Sequence, residues 1–144
     1  MPIKHLGRHV AQKSLLTPSY ITRISAGFPS PADDYMDKGL DLNEHLITHP
    51  AATFFCRVSG ESMQDVGIFD GDLLIVDRAV KPMSGHIVLA AINGELTCKI
   101  LDINGRCLLP SNSNYPPIPI QEDADFSVEG VITYSIRDHR VRTG

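Results

Sequence analysis

His86-Ile87-Val88-Leu89-Ala90-Ala91-Ile92-Asn93-Gly94-Glu95-Leu96-Thr97-Cys98-Lys99-Ile100-Leu101 decides the fold class. An apolar run meets Asn-Gly, and a second run leads back. Asn and Gly both tolerate positive φ, which a tight two-residue hairpin turn requires. The stretch therefore predicts two antiparallel strands. Its longest apolar run, Ile87 to Ile92, is far short of the ~18 residues that suggest a membrane-spanning helix.

The same pattern extends in both directions. Upstream, Thr53-Phe54-Phe55-Cys56-Arg57-Val58 is rich in strand formers, and Asp72-Leu73-Leu74-Ile75-Val76-Asp77 is a short apolar run between charges. Downstream, Asn104-Gly105 is a second turn signal before Arg106-Cys107-Leu108-Leu109. Ser111 to Pro119 reads as a loop with three prolines, and Phe126 to Ile136 as a last long strand with Gly130 as a bulge. Asp41-Leu42-Asn43-Glu44 opens the one short helix, with Asp41 as N-cap, Glu44 at the capping-box position and Pro50 as the stop. The expectation is a mostly β domain of about seven short strands without internal repeats.

Composition agrees with one compact domain. The chain has 144 residues, 42% hydrophobic and 21% charged, which excludes collagen, coiled coil and a largely disordered chain. The formal net charge of −4 argues against a wholly basic nucleic-acid binder. Cys56, Cys98 and Cys107 are an odd number with no CxxC pair, so a reducing, cytoplasmic setting is expected rather than a secreted disulfide framework. No apolar segment of signal-peptide type follows Lys4 and Arg8. His45 and His49 lie four apart, but no third ligand stands near them and HExxH is absent; they read as surface histidines, not a metal site.

Charge is uneven along the chain. Residues 1–26 carry Lys4, Arg8, Lys13 and Arg23 and no acid, giving +4, against −8 for residues 27–144. Residues 1–20 show no sustained apolar period and are interrupted by Pro2, Gly7 and Pro18, so a flexible N-terminal arm is expected. Ile21 to Ser25 alternates weakly, as a strand would. The next segment, Ala26-Gly27-Phe28-Pro29-Ser30-Pro31, cannot be helical. Attraction of the arm to its acidic body would weaken with salt.

Two residues break the local pattern. Ser62 sits in the turn Ser59-Gly60-Glu61-Ser62-Met63, directly after a strand. Lys99 sits mid-strand among apolar neighbours. Singly, Ser62 reads as a turn or N-cap residue, and Lys99 as an outward lysine on an edge strand. Together they point to chemistry. A serine hydroxyl is a poor nucleophile until a base takes its proton. Burial disfavours an ammonium group, so a lysine in an apolar site can serve as that base. Serine–lysine pairs are known alternatives to Ser-His-Asp. The backbone N–H of Met63 or of the preceding turn is the candidate oxyanion donor. No histidine accompanies a GxSxG elbow, and Gly60-Glu61-Ser62-Met63-Gln64 is not one.

These residues are similar to those of the LexA/UmuD family of self-cleaving serine peptidases. The resemblance runs through Ile24-Ser25-Ala26-Gly27-Phe28-Pro29-Ser30-Pro31-Ala32, Asp41-Leu42-Asn43 and Val58-Ser59-Gly60-Glu61-Ser62-Met63. It continues in Asp70 to Asp77, Glu95-Leu96-Thr97-Cys98-Lys99, Leu109-Pro110 with Asn112, and Val128 to Ile132. It implies a single curved β-sheet, barrel-like peptidase domain of LexA type. Ser62 is then the nucleophile, Lys99 the general base and Ala26-Gly27 the scissile bond. The arm would be residues 1–26 and the peptidase and dimerisation domain residues 27–144. Small residues suit a bond that enters a cramped cleft, and Gly27 allows close backbone approach. Cys98 stands where the family usually has an aliphatic residue, and a small apolar thiol preserves burial there.

The resemblance further implies an SOS mutagenesis protein. Activated RecA filament on single-stranded DNA would stimulate self-cleavage, and the product would form a homodimer that joins an UmuC-like translesion polymerase. A LexA-like repressor would need a helix-turn-helix before the scissile bond, and the 26 residues there lack two periodic helices. A signal-peptidase-like enzyme would need a membrane anchor. A non-enzymatic β-domain adaptor remains a description of the cleaved product. The chemistry requires no metal and no organic cofactor.

Overall fold

Asn93 and Gly94 adopt φ values of +49° and +85°, so the Asn-Gly turn forms. It joins β6 (Ile87–Ile92) to β7 (Glu95–Asp102) in antiparallel register from Ile87 opposite Ile100 to Ile92 opposite Glu95. This hairpin lies inside a larger sheet. The computed structural model describes residues 3–8, 16–20 and 36–140. Among them are ten strands and one short α-helix, in a mostly β fold.

The remaining strands are β1 (Ile3–Arg8), β2 (Leu16–Tyr20), β3 (Met36–Asp41), β4 (Thr53–Val58), β5 (Leu73–Asp77), β8 (Cys107–Leu109), β9 (Ile118–Pro119) and β10 (Phe126–Ile136). Eight of the ten strands form one antiparallel sheet in the order β1-β4-β5-β10-β6-β7-β8-β9. β2 and β3 pair separately. The chain divides into two compact units: Met1–Val10 with Ala51–Gly144, and Ala11–Pro50.

In the larger unit the side-chain period of two sorts residues onto the two faces of the sheet. On β6, Leu89 joins a cluster with Phe54, Cys56, Val58, Leu74, Val76 and Cys98, while Val88 and Ala90 join another with Leu101, Leu108 and Val131. β5 and β6 are buried on both faces along most of their length, which explains why they read as continuous apolar runs rather than alternating ones.

Gly130 makes the predicted bulge: the β10 register against β6 shifts between Val128 and Gly130. A Cβ there would lie 2.5 Å from Val76 Cγ1 and 3.3 Å from the Asp77 carbonyl oxygen. Gly130→Ala is therefore expected to destabilise the domain by about 1–3 kcal/mol, read as a lower denaturant midpoint.

In the smaller unit, α1 (Leu42–Leu46) starts where expected. Asp41 Oδ1 accepts from the N–H groups of Asn43 and Glu44 at 3.0 and 3.4 Å. The helix ends before Pro50, which opens a 3-10 turn, Pro50–Ala52, in the chain leading to β4.

Three features depart from the sequence pattern. The second hairpin turn places its positive φ, +51°, on Arg106 rather than on Asn104-Gly105, while Gly105 N–H donates to Asp102 Oδ1 at 3.0 Å. The proline-rich loop contains the two-residue strand β9. Within the first 26 residues, β1 pairs with β4 and β2 with β3, each through a register shift: between His5 and Gly7 in β1, and between Thr17 and Ser19 around Pro18 in β2. Bulges accommodate residues that regular strands resist, so neither segment shows a clean period. Residues 21–35, including the expected strand Ile21–Ser25 and the Ala26-Gly27 bond, lie outside the described residues.

Candidate active site

β7 places the lysine. It is an interior strand, with β6 on one side and β8 on the other. Lys99 is therefore not on an edge, and it is only 3% exposed. Residues two apart on a strand share a face, so Thr97 and Lys99 lie together, opposite Cys98 in the core. The turn after β4 places the serine. Gly60 takes φ +95°, and its N–H donates to Asp70 Oδ1 at 2.9 Å. Ser62 is 1% exposed, and Met63 after it is fully buried in the core. A 3-10 turn, Gln64–Val66, follows with no side-chain cap from Met63, so Ser62 is not an N-cap.

The two side chains meet across 37 residues. Lys99 Nζ donates to Ser62 Oγ at 3.0 Å, to Thr97 Oγ1 at 2.9 Å and to the Cys98 carbonyl at 3.3 Å. No carboxylate forms an ion pair with Lys99 among the described residues. Three acceptors match the three N–H groups of an ammonium. When the amine is neutral, Thr97 and the Cys98 carbonyl can hold its two N–H bonds, and the lone pair then faces Ser62. Thr97 is the site residue that sequence reasoning missed. Its position two before Lys99 was the available signal, but threonine is also an ordinary strand residue.

The backbone of the Ser62 turn supplies unused donors. Among the described residues, the N–H groups of Glu61, Ser62 and Met63 have no protein partner, and those of Ser62 and Met63 lie in the buried part of the turn. Buried donors are nearly always paired, so these two are available to an oxygen that develops charge beside Ser62 Oγ. Met63 N–H is the donor anticipated from sequence, and Ser62 N–H joins it. An open groove of about 550 Å³, lined in part by Ile92, Leu96, Thr97 and Ile118, runs up to Thr97.

Cys98 is fully buried, and burial pushes its thiol up to about 12, with the nearby Lys99 charge acting in the other direction. Burial raises Cys56 to about 11, against a lowering influence from Arg78. Partial burial and the Asp102 carboxylate, 3.6 Å from Sγ, raise Cys107 as well. None of the three is activated as a thiolate nucleophile. Native Cys56 and Cys98 are expected to resist iodoacetamide at pH 8 and to react once the chain is unfolded, as mass spectrometry would show. The same shifts have a stability sign. Folded thiols above their unfolded value of about 9 contribute stability that is complete below pH 9. That stability is lost as pH rises through 11 and 12. Melting temperature should therefore fall above pH 9, less steeply in Cys98→Ala.

His45 and His49 are exposed on and just after α1, and the described residues hold no group of three or more His, Cys, Asp or Glu side chains suited to a metal. No described helix is long and apolar enough to cross a membrane.

The family described as Peptidase S24-like matches residues 18–133. Protein MucA of Salmonella typhimurium is 49% identical over 127 residues, covering 86% of each chain. Protein ImpA of Shigella flexneri is 47% identical over 129 residues, covering 90% of this chain and 88% of the relative. The LexA repressor of Xylella fastidiosa is 39% identical over 130 residues, covering 89% of this chain and 61% of the repressor. The chain belongs to the Peptidase S24-like family, and so to the serine peptidases.

Proposed function

We propose that this protein cleaves its own chain between Ala26 and Gly27, with Ser62 as nucleophile and Lys99 as general base. The observation that carries the reading is the buried 3.0 Å contact between Lys99 Nζ and Ser62 Oγ. The Lys99 lone pair takes the hydroxyl proton as Oγ attacks the Ala26 carbonyl carbon. The negative oxygen that forms is met by the free N–H groups of Ser62 and Met63. As the C–N bond breaks, the Lys99 ammonium returns the proton to the Gly27 nitrogen. Water then hydrolyses the Ala26 ester on Ser62, again with Lys99 as base.

The biological reading follows the UmuD-like relatives MucA and ImpA, which match this chain at 47–49% identity over most of its length. It is an SOS mutagenesis protein of the cytoplasm. RecA filament on single-stranded DNA stimulates cleavage, and residues 27–144 form a homodimer that serves an UmuC-like translesion polymerase. It neither reads DNA sequence nor binds a membrane. Identity to a LexA repressor keeps a repressor-type peptidase domain as the second reading. The direct test is intact-mass analysis of the full chain with RecA, single-stranded DNA and a nucleoside triphosphate. A fragment beginning at Gly27 is the expected result. No cleavage, or cleavage elsewhere, would refute the assignment.

A further inference from the structure

The turn that carries Ser62 is held by a segment nearly fifty residues away in sequence. Ser111 N–H donates to the Ser62 carbonyl at 2.7 Å, and the Ser111 carbonyl accepts from Asp65 N–H at 2.8 Å. Asn112 Nδ2 donates to the Glu61 carbonyl at 2.8 Å. The orientation of that amide is determined by its other end, because Asn112 Oδ1 accepts from Asn114 N–H at 3.0 Å. The nitrogen must therefore face Glu61. Two successive carbonyls, those of Glu61 and Ser62, are thus fixed by the segment just beyond β8.

A trans peptide is planar, and its C=O and N–H point in opposite directions; the described chain has no cis bonds. Fixing the Glu61 carbonyl aims the Ser62 N–H, and fixing the Ser62 carbonyl aims the Met63 N–H. Both donors then face away from Ser111–Asn112, and neither has a protein partner among the described residues. Adjacent N–H groups facing one way make an anion-binding concavity. The Glu61 carbonyl also accepts from Gln64 N–H, at 3.2 Å. That bond is longer and comes from the same turn, so it cannot tie the peptide to the rest of the domain. The Ser111 bonds use backbone atoms. Asn112 is the one side chain in this clamp.

We propose that Asn112 is a positioning residue for the oxyanion site: by holding the Glu61 carbonyl it aims the Ser62 N–H at the oxygen of the tetrahedral intermediate. This rests on Ser62 being the nucleophile. A purely structural asparagine would be better replaced by aspartate than by alanine, since aspartate keeps the shape and the acceptor for Asn114. A donor that orients a peptide would not, because an aspartate oxygen repels the Glu61 carbonyl.

The experiment compares wild type, Asn112→Ala and Asn112→Asp as full chains. Three quantities are measured: self-cleavage rate from pH 7 to 10, phosphonylation of Ser62 by a fluorophosphonate, and melting temperature. In the probe reaction Ser62 Oγ displaces fluoride, and the hydroxyl proton leaves through Lys99, so cleavage of the arm is not required. Both variants are expected to cleave and label about ten- to hundredfold more slowly, with melting temperatures within a few degrees of wild type. Asn112→Asp is no faster than Asn112→Ala. Rates within twofold of wild type overturn the proposal. So does rescue by aspartate, or a rate loss that only tracks loss of melting temperature. A wild-type chain that neither cleaves nor labels overturns the nucleophile reading, and this one with it.

Discussion

Lys99→Met is expected to abolish the fragment of residues 27–144 and to leave the fold standing. The amine is buried against Ser62 Oγ, Thr97 Oγ1 and the Cys98 carbonyl, with no carboxylate paired to it among the described residues. Replacing a buried polar group by a hydrophobe of similar volume removes the cost of keeping that group out of water. The three acceptors that lose their donor offset this by about 1 kcal/mol each at most. The melting temperature should therefore move by only a few degrees, and a rise would not be surprising. Ser62→Ala should also stop cleavage, because it removes the attacking oxygen while Thr97 and Cys98 still hold the amine. Losses in either variant should reach at least about a thousandfold, as for members of other catalytic constellations. Intact mass after incubation is the measurement. A Lys99→Met chain that cleaves at the wild-type rate would remove lysine from the mechanism.

Asp72→Ala should lower stability by about 2–3 kcal/mol, and Arg137→Ala should lower it too, by less. Asp72 is 1% exposed, and both of its carboxylate oxygens are used. Oδ1 accepts from Arg137 Nε at 2.9 Å, and Oδ2 accepts from Arg137 Nη2 at 3.0 Å and from Phe69 N–H at 2.9 Å. Arg137 Nη2 also donates to the Gly67 carbonyl at 2.6 Å, and the guanidinium lies 4.0 Å over the Phe69 ring. This knot ties the chain just after β10 to the loop that follows the Ser62 turn. Removing Arg137 leaves a buried carboxylate with one remaining donor. Removing Asp72 strands the Phe69 N–H and releases the guanidinium. Arg137 is partly open to solvent, so the cost stays below that of a fully buried pair. For a domain of this size the Asp72→Ala loss corresponds to roughly 5–10 °C in melting temperature. Arg137→Lys should recover only part, because an ammonium cannot make the bidentate contact. The double variant should cost clearly less than the sum of the singles. Additive costs would mean that the pair is not coupled.

Much of the larger sheet was readable along the chain. β4 and β10 coincide with the predicted segments, and β5, β6 and β7 differ by one residue at an end. The Asn93-Gly94 turn, the Asp41 cap and the Gly130 bulge also coincide. Each is a local preference: side-chain shape, positive φ, or a carboxylate beside free N–H groups. The Arg106 turn failed because Asp102 engages the turn backbone at Gly105 and changes where the left-handed residue falls. β1 and β2 were not readable, because their regularity is broken by bulges and their pairing partners lie elsewhere in the chain.

By itself the sequence determined the β class, the places where strands start and stop, and the two residues, Ser62 and Lys99, that do not suit their local surroundings. Only the tertiary structure decided that these two meet at 3.0 Å, that Thr97 shares the lysine amine, and that Asn112 reaches Glu61 across 51 residues. The reason is physical. Propensity and periodicity act over a few neighbouring residues. Contacts across tens of residues are chosen by the burial of whole sheet faces and by the hydrogen bonds that buried polar atoms must then find.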